Sequence, residues 1–546
     1  VDFRKGTYYA EKGNFTTAGF VDFKTADVLP NSSIKVEGGM YNTFRTVGLF
    51  DLLSNKAKEK GQSLYIGSEY LYSKGYFEYP QDFNRINLFT KYHGRLDDRN
   101  IVSVSGSYFK SDWNASGQIP DRAVESGAIG FFGAIDPYEG GVTGRSNANV
   151  QLTTTLPNNN TIKNQLYYTN YDFELYSNFT FFKNDPVNGD QIKQKENRTL
   201  YGYNGSYTAM GFVGNTPVTT EVGANMRLDK TKDSELSRTV DRTTTAEKIM
   251  LGNITEANLG AYINETLRLS QNFTLGAGVR YDYFINQYKD LLNNNHVGKA
   301  SAGIVSPKVN MQYNLNNKTQ FYLAAGKGFH SNDTRVAVPQ NGLDVLPAAY
   351  SADLGATVKP AKNLLITTAL WYLWLEQEFV YVGDEGIVEP SGKSRRIGVD
   401  VSARYQPLKW LFADVDFNVA KPRSIGSPKG EDYLPLAPLV TSAGGFTVKT
   451  ISGINGSLRY RYMGNRPANE DYSVTAKGYF VTDAVLNYTA SKFEVGLNAQ
   501  NLFNVKWKET QFETESRLFN EPQPVSEIHF TPGTPFFLKA SFTYKF

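Results

Sequence analysis

The sequence predicts an all-β protein, a transmembrane antiparallel β-barrel of about 22 strands. Three observations predict it: strands in which apolar and polar residues alternate, connections that alternate between short and long, and a composition rich in strand and turn formers. The chain has 546 residues with 35 Tyr, 35 Phe and 48 Gly, and apolar residues rarely recur at helical spacing. Because no Pro/Gly/Ser-rich linker divides the chain, we expect one continuous structure.

The C-terminal segment shows the alternation most clearly. In residues 534–546, TPFFLKASFTYKF, every second position from Phe536 to Phe546 is apolar or aromatic, and the positions between them from Lys539 to Lys545 are Lys, Ser or Thr. A strand of about 10 residues crosses the apolar layer of a bilayer at the tilt of a barrel strand. A half-buried strand of a soluble sheet alternates in the same way, so this segment alone leaves both alternatives open.

Charged residues on the second face of other strands favour the barrel. The same alternation predicts three further strands: Ser394–Tyr405, Trp410–Ala420 and Lys492–Phe503. Their second faces carry residues such as Asp400, Asp414 and Glu494. The core of a β-sandwich could not solvate these charges, whereas a water-filled barrel lumen can.

The connections between predicted strands fall into two sets. The short set comprises residues 97–100, 157–160, 270–272, 314–317, 359–363, 406–409, 450–453 and 489–491. The long set comprises residues 111–147, 183–196, 230–252, 286–302, 330–346, 377–392, 421–437, 466–477 and 504–533. Short turns at one end and long loops at the other are typical of outer-membrane barrels, in which the long loops face the outside of the cell.

Charge, cysteine content and hydropathy exclude several other classes of protein. The net charge is +3, from 57 basic and 54 acidic residues, so neither nucleic acid nor an acidic surface is indicated as a partner. The sequence contains no cysteine, which excludes disulfides and thiolate sites. The longest apolar run, Ala369 to Leu375, is far shorter than the roughly 18 residues that a membrane helix needs, so a membrane-spanning form must be a closed sheet.

Several short segments occur in a distinctive order along the chain. They are FRKG at 3–6, GNFTTAGFVDFKT at 13–25, GGMYNTFR at 38–45, GVRYD at 278–282, SPK at 306–308, GKGF at 326–329, QNLFN at 500–504 and the terminal Phe546. Together they resemble the TonB-dependent outer-membrane receptors over nearly the whole chain. Residues 1–30 resemble the C-terminal tail of the plug domain of these receptors, and residues 31–546 resemble their barrel with its long extracellular loops.

The resemblance implies an active-transport receptor in the outer membrane of a Gram-negative bacterium. The expected cargo is a scarce nutrient, a ferric siderophore or another metal complex, while haem, cobalamin, glycans and peptides remain alternatives. The implied partners are TonB with its inner-membrane motor, a small-molecule ligand and outer-membrane lipid, and other outer-membrane proteins are further candidates. The resemblance also implies that a signal peptide, a TonB box and most of the plug precede Val1.

Three rival functions remain open on the sequence: a passive porin-like channel, a structural or adhesive outer-membrane protein, and a secreted all-β enzyme. The plug-like N-terminus and the width of the barrel disfavour the channel. The enzyme is disfavoured because the sequence lacks a nucleophile elbow, an HExxH motif and a phosphate-binding glycine loop. We therefore expect no enzyme activity, no cofactor and no resident metal.

Two histidines are candidates for contacting the ligand. The chain has four histidines, and His330 and His529 fall in predicted long loops near the tops of strands. Imidazole binds iron, copper and zinc well, and Asp333, Arg335 and Glu527 are candidate neighbours. The alternative is that these histidines are ordinary solvated loop residues.

The loop at residues 117–141 is the most aromatic of the long set and is a second candidate for ligand binding. Phe131, Phe132 and Tyr138 could form a binding surface over the pore, or could pack against neighbouring loops.

Two further groups are better explained without a ligand. Trp371, Trp374 and Trp410 are expected as lipid-facing or interfacial anchors, and the acidic residues Asp384, Glu385, Glu431 and Asp432 match no calcium-loop spacing.

Overall fold

The computed structural model describes residues 1–338, 344–382 and 387–546. Its strands are β1 Asp2–Lys5, β2 Gly19–Asp22, β3 Ser33–Gly39, β4 Thr43–Asp51, β5 Ser63–Ser73, β6 Phe83–Arg95, β7 Asn100–Ala115, β8 Ile119–Pro120, β9 Glu139–Thr155, β10 Thr161–Ser177, β11 Ile192–Val213, β12 Thr216–Val240, β13 Thr244–Arg268, β14 Phe273–Asp290, β15 Val297–Asn316, β16 Thr319–Phe329, β17 Ala348–Ala361, β18 Leu364–Leu375, β19 Glu378–Val382, β20 Ile387–Ser391, β21 Ser394–Leu408, β22 Leu411–Ser424, β23 Val440–Lys449, β24 Ile454–Met463, β25 Arg466–Pro467, β26 Thr475–Ala476, β27 Tyr479–Thr489, β28 Phe493–Gln500, β29 Lys508–Ser516, β30 Val525–Pro532 and β31 Phe537–Lys545. The helices are α1 Asn55–Glu59, α2 Asp121–Glu125 and α3 Thr334–Ala337. None of the helices in these ranges is long and apolar enough to cross a bilayer.

Within the described residues, 22 strands form one closed antiparallel barrel. The barrel strands are β3–β7, β9–β18, β21–β24, β27, β28 and β31. The barrel closes because the C-terminal strand β31 pairs with both β28 and β3, so that Phe542 lies opposite Val495 on one side and Val36 on the other. The predicted fold class is confirmed, including the strand at the C-terminus.

The two faces of the wall divide as the alternation predicts. Val399, Val419 and Val495 are exposed on the outer surface, where a bilayer would cover them. Asp400 faces inward, where it accepts hydrogen bonds from Asn418 and from the Trp371 indole at 3.0 Å. The expectation that Trp371 anchors the barrel in lipid is therefore wrong, because its N–H finds an acceptor on the lumen side.

The short turns lie where the sequence predicts them, but two of the long loops are shorter than expected. β12 and β13 each have 25 residues and continue as a hairpin through most of residues 230–252. β14 and β15 likewise pair through much of residues 286–302. Outside the bilayer both faces of a strand meet water, so the alternation of apolar residues disappears while the hydrogen-bonded ladder continues.

The N-terminal segment, residues 1–32, contacts wall strands on different sides of the lumen. Lys308 of β15 donates to the Thr7 carbonyl at 2.5 Å, and the Tyr8 hydroxyl donates to Asp353 of β17 at 2.5 Å. Farther along the segment, the Tyr65 hydroxyl of β5 donates to the Ala26 carbonyl at 2.9 Å. Because β5 and β15 are not neighbours in the barrel, the segment crosses the lumen.

Two of the short sequence motifs on the barrel wall, GVRYD at 278–282 and GKGF at 326–329, hold the N-terminal segment in place. Arg280 of GVRYD is buried against Asp282 at 2.6 Å and donates to the carbonyls of Ala10 and Glu11 at 3.4 Å. In GKGF, a Cβ on Gly328 would lie 2.3 Å from the Thr16 carbonyl oxygen, so only glycine lets the segment approach the wall this closely. These segments therefore bring the N-terminal segment and the barrel together.

Candidate functional site

A polar cavity of about 350 Å³ lies where the N-terminal segment, the wall and one long loop meet. Its lining residues are Asn14, Phe15, Glu196, Arg198, Arg227, Asp229, Ile254, Glu256, Asn258, Phe284, Ser331, Asn332, Asp333 and Arg335. The wall residues lie in the part of β11–β14 that is nearer the long loops. We call this cavity the Phe15 pocket.

A turn of the N-terminal segment presents Phe15 to this pocket. The Asn14 side chain accepts hydrogen bonds from the Phe15 N–H at 2.9 Å and the Ser331 N–H at 2.7 Å, and donates to the Ser331 hydroxyl at 2.7 Å. Phe15 has a φ of 62° and its residue surface is 63% exposed. An exposed phenylalanine in the left-handed region costs free energy, and such backbone strain is concentrated at functional sites.

Each arginine of the pocket is paired with a carboxylate two residues away. The distances are 2.6 Å for Arg227–Asp229, 3.1 Å for Arg198–Glu196 and 2.5 Å for Arg335–Asp333. In a strand, residues two apart share a face, so β11 and β12 each present one such pair to the lumen.

The third arginine pair is built at the start of a short helix. Asp333 is the N-cap of α3 and accepts a hydrogen bond from the Arg335 N–H at 2.8 Å. Burial alone would raise the pKa of Asp333, but the hydrogen bonds and charge of Arg335 lower it. Both residues are therefore charged at neutral pH, and the pair does not add net charge to the pocket.

Other polar groups of the pocket retain hydrogen-bonding capacity. Glu256 accepts a hydrogen bond from the Thr334 hydroxyl. Arg198 Nε, Asn258 Oδ1 and Asn332 Oδ1 are buried without a hydrogen-bond partner among the described residues. Because buried polar atoms are normally satisfied, the pocket can offer both donors and acceptors to a bound molecule.

Two larger cavities lie along the N-terminal segment. One of about 610 Å³ shares Asn14, Arg227 and Asn258 with the Phe15 pocket. Another of about 1030 Å³ is lined by residues that include Phe3 and Tyr8. The lumen beside this segment therefore contains open space below the pocket.

His330 follows β16 and is buried, with 5% of its surface exposed. Its backbone N–H donates to the Pro347 carbonyl at 3.3 Å. Burial lowers the pKa of His330 to about 4, so the imidazole is neutral at neutral pH. His330 is near Ser331 in sequence but does not line the Phe15 pocket.

His529 lies in a different part of the molecule and is 1% exposed. Its Nε2 is 2.7 Å from the Ser516 hydroxyl, and its ring stacks on Phe181 with centroids 6.0 Å apart. Burial lowers the pKa of His529 to about 4. These contacts make the ring part of the packing between loops.

His529 belongs to a packed assembly of four loops, which we call the loop cap and define as residues 116–138, 178–191, 465–478 and 501–536. Its apolar core contains Ile119, Ala468, Ala476, Ile528 and Phe530. β8, β29 and β30 form a three-stranded sheet within it. Residues from distant parts of the chain thus bury one another at the long-loop end of the barrel.

Arg122 joins two of these loops through a network of ion pairs. Its guanidinium lies 2.7 Å from Glu521 and 2.6 Å from Glu527, and it also donates to the Ser516 carbonyl at 3.0 Å. Hydrogen bonds from Arg122 lower the pKa of Glu521 by more than burial raises it. Glu521 is therefore a charged partner of Arg122 at neutral pH.

The aromatic residues predicted from the 117–141 loop also lie in or beside the loop cap. Phe131 packs on Phe530 with centroids 5.3 Å apart, and Phe132 packs on Tyr76 at 5.6 Å. Tyr138 is 48% exposed. Phe131 and Phe132 thus pack against neighbouring loops, which is the second of the two alternatives that the sequence left open for this loop.

The predicted site residues therefore fall into three groups. Asp333 and Arg335 line the Phe15 pocket, His330 is buried nearby, and the remaining candidates lie in the loop cap. Sequence reasoning did not single out Phe15, Arg198 or Arg227. The available signal was the Gly-Asn dipeptide at residues 13–14, which indicates a turn but not what the turn approaches.

The structure places no metal centre among these candidates. Within residues 1–338, 344–382 and 387–546, no group of three or more His, Cys, Asp or Glu side chains is arranged to hold a metal ion. Asp384 and Glu385 lie outside the described residues, and Glu431 is exposed.

A family model supports the classification that the fold indicates. The model described as TonB dependent receptor-like, beta-barrel matches residues 72–502. Because this match covers more than half of the chain, the chain belongs to that family. The family consists of transport receptors, and its barrels lie in the outer membrane of Gram-negative bacteria. The long-loop end of the barrel is accordingly extracellular.

Individual relatives agree with this classification. The pesticin receptor of Yersinia pestis is 24% identical over 289 residues, which are 47% of this chain and 40% of that receptor. The ferric citrate transporter FecA in its unliganded form has a TM-score of 0.81 at 14% identity, covering 98% of this chain and 82% of FecA. The siderophore receptor PiuA from Acinetobacter baumannii has a TM-score of 0.80 at 13% identity, covering 100% of this chain and 86% of PiuA. At these identities the two structures share the fold with this chain.

Proposed function

We propose that the protein imports a metal complex, most simply a ferric siderophore, across the outer membrane, and that TonB and its inner-membrane motor energise the import. The complex binds first in the Phe15 pocket. In this proposal the chain is a transport receptor and not an enzyme. Residues 1–30 are the C-terminal tail of the plug domain, and residues 31–546 are the barrel.

One observation carries the proposal: the Phe15 pocket joins the N-terminal segment to the extracellular half of the wall. A ligand in the pocket would touch Phe15 of the segment and Arg335 of an extracellular loop at once. A force on the segment would then change the ligand's surroundings, which is what coupling of binding to transport requires. The structural relatives support this cargo class because FecA is named as a ferric citrate transporter and PiuA as a siderophore receptor.

The pocket can hold the outer surface of a metal complex without supplying ligands to the metal. Phe15 offers an aromatic face, and Arg198 Nε and Asn258 Oδ1 offer a buried donor and acceptor. A chelate whose metal is already coordinatively saturated needs contacts of this kind and not direct ligation by imidazole. Of the candidate residues identified from the sequence, Asp333 and Arg335 fit this role best, whereas His330 and His529 would need a rearrangement to reach a ligand.

Uptake in living cells tests the proposal. The full-length receptor is expressed in a Gram-negative host that lacks its own siderophore receptors and receives a ferric siderophore as its sole iron source. We expect growth to be restored by the wild-type receptor and lost when TonB is deleted. Phe15→Ala should weaken growth, whereas Phe503→Ala, a matched change of an exposed phenylalanine outside the pocket, should not.

The rival functions give different results in the same assay. A passive channel would restore growth without TonB. An adhesive protein would not restore growth on any ferric complex, although it would still reach the outer membrane.

A further inference from the structure

We infer that the Phe15 pocket selects a neutral or cationic metal complex and discriminates against a polyanionic one. This inference rests on the proposed function and names the charge class of its ligand. The arginines of the pocket suggest at first sight a site for anionic chelates. However, each arginine already has a carboxylate partner, and the lining contains one carboxylate more than it has arginines. These charges favour a neutral or cationic ligand.

The lining carries no surplus positive charge. Arg198, Arg227 and Arg335 face four carboxylates, those of Glu196, Asp229, Glu256 and Asp333. Three of these carboxylates form the ion pairs described above, and Glu256 has the Thr334 hydroxyl as its hydrogen-bond donor. If Glu256 is ionised, the lining is negative overall, and if it is protonated, the lining is neutral.

Two of the three arginines, Arg227 and Arg335, are also held by their partners through two hydrogen bonds each. Arg227 donates to both oxygens of Asp229, through Nε at 3.0 Å and Nη2 at 2.6 Å. Arg335 donates to both oxygens of Asp333, through Nε at 2.9 Å and Nη2 at 2.5 Å. Bidentate ion pairs of this kind are stronger than arginine–carboxylate pairs with a single hydrogen bond.

An anionic ligand that bound Arg227 or Arg335 would have to displace the carboxylate already paired with that arginine. A carboxylate or catecholate of the ligand that took Arg227 would leave Asp229, which is 4% exposed, without its cation. The free energy gained from the new ion pair with Arg227 would be offset by the cost of leaving the buried Asp229 carboxylate without a cation. A neutral complex can instead use the unpartnered Arg198 Nε and Asn258 Oδ1, and a cationic group can approach Glu256.

Binding of complexes that differ in charge tests this inference. Calorimetry on the full-length receptor in detergent compares three ferric complexes of similar size: a linear tris-hydroxamate with a pendant ammonium group, a neutral cyclic tris-hydroxamate and a polyanionic tris-catecholate. We expect the cationic or the neutral complex to bind at least about 10-fold more tightly than the tris-catecholate at low salt.

The Glu256→Gln variant links the preference to the pocket. Glutamine keeps the size of the side chain and can still accept the hydrogen bond from Thr334, but it cannot carry a negative charge. We expect the affinity for the cationic complex to fall about 5- to 10-fold relative to that for the neutral one. Glu431→Gln, which removes one carboxylate from an exposed loop outside the pocket, should leave that ratio unchanged.

The outcomes separate this inference from the proposed function. Tightest binding of the tris-catecholate overturns the discrimination against polyanionic complexes, while the receptor still binds metal complexes. An unchanged ratio in Glu256→Gln overturns the role of Glu256 in attracting a cationic complex. Failure of all three complexes to bind, together with failure of ferric uptake in cells, overturns both.

Discussion

The loop cap and the Phe15 pocket are both rich in arginine and carboxylate, but they use these residues differently. In the loop cap, Arg122 binds Glu521 and Glu527, which lie about four hundred positions away in the chain. In the Phe15 pocket, Arg227 and Arg335 bind carboxylates two positions away. Long-range pairs hold loops together, whereas local pairs set the charge of a surface without joining separate elements. The loop cap is therefore a structural unit, and the pocket is free to accept a ligand.

The same substitution in the two regions should have unequal effects. Arg122→Met should destabilise the closed loop cap by about 1 to 3 kcal/mol, because it leaves the partly buried Glu521 and Glu527 without their shared cation. Arg335→Met should cost less than about 1 kcal/mol, because its pair is local and each partner is 32% exposed. Hydrogen exchange of residues 116–138 and 501–536 in Arg122→Met, and of residues 331–338 in Arg335→Met, measures the difference. Equal loss of protection in both variants would contradict the distinction between the two regions.

Acid should open the loop cap through His529. The pKa of His529 is about 4 when the loop cap is closed and about 6.5 when the ring is in water. Above the higher value the ring is neutral in both states. As the pH falls from about 6.5 to about 4, the open state binds the proton more readily, so closure loses about 3 kcal/mol.

Proteolysis of the folded receptor at about pH 7.5 and about pH 4.5 checks this pH dependence. Cleavage within residues 501–536 should increase at the lower pH in wild type and should change much less in His529→Phe, which keeps a ring against Phe181. His296→Gln provides the matched control, because His296 is exposed. Acid-dependent cleavage that persists unchanged in His529→Phe would assign the effect to other groups.

The turn that presents Phe15 depends on Asn14. Asn14→Ala removes three hydrogen bonds of 2.7 to 2.9 Å and should destabilise the docked turn by about 1 to 3 kcal/mol. Hydrogen exchange at residues 13–17 should increase without a change in the loop cap. Asn188→Ala, at an exposed position of the loop cap, serves as the control. An identical response of residues 13–17 in the two variants would show that Asn14 does not anchor the turn.

We expect Phe15 to destabilise the docked turn while strengthening ligand binding. Phe15→Gly relieves the left-handed strain and should stabilise the docked turn by about 1 kcal/mol, after allowing for the greater freedom of glycine in the undocked segment. It should also weaken ligand binding about 10-fold, because an aromatic contact is lost. Calorimetry and hydrogen exchange report the two effects separately. Phe23→Gly, which alters an exposed phenylalanine of the same segment, should not improve stability.

The sequence predicted the part of the fold that the bilayer imposes. Apolar residues must face lipid on one side of each strand, so the alternation located Ser394–Leu408 and the C-terminal strand within a few residues. It did not locate the strand extensions in residues 230–252, because both faces of those strands meet water.

The site was predicted less completely than the wall. Asp333 and Arg335 were identified because they fall in one extracellular loop beside a candidate histidine. Arg198 and Arg227 join them only through closure of the barrel, and Phe15 joins them only through the crossing segment. Local sequence patterns do not show which distant residues come together in the folded barrel. They also do not show that His330 and His529 are buried.

The most direct test of the central claim places a reporter at Phe15. Phe15→Trp keeps an aromatic ring in the left-handed turn and adds one fluorophore to the five tryptophans of the chain. A bound ferric complex should quench the added fluorescence in a saturable manner, with the same midpoint as calorimetry. Phe503→Trp, at a 68% exposed position outside the pocket, should show no added quenching. Binding by calorimetry without quenching at Phe15→Trp, or equal quenching at both positions, would contradict the claim that the ligand occupies the Phe15 pocket.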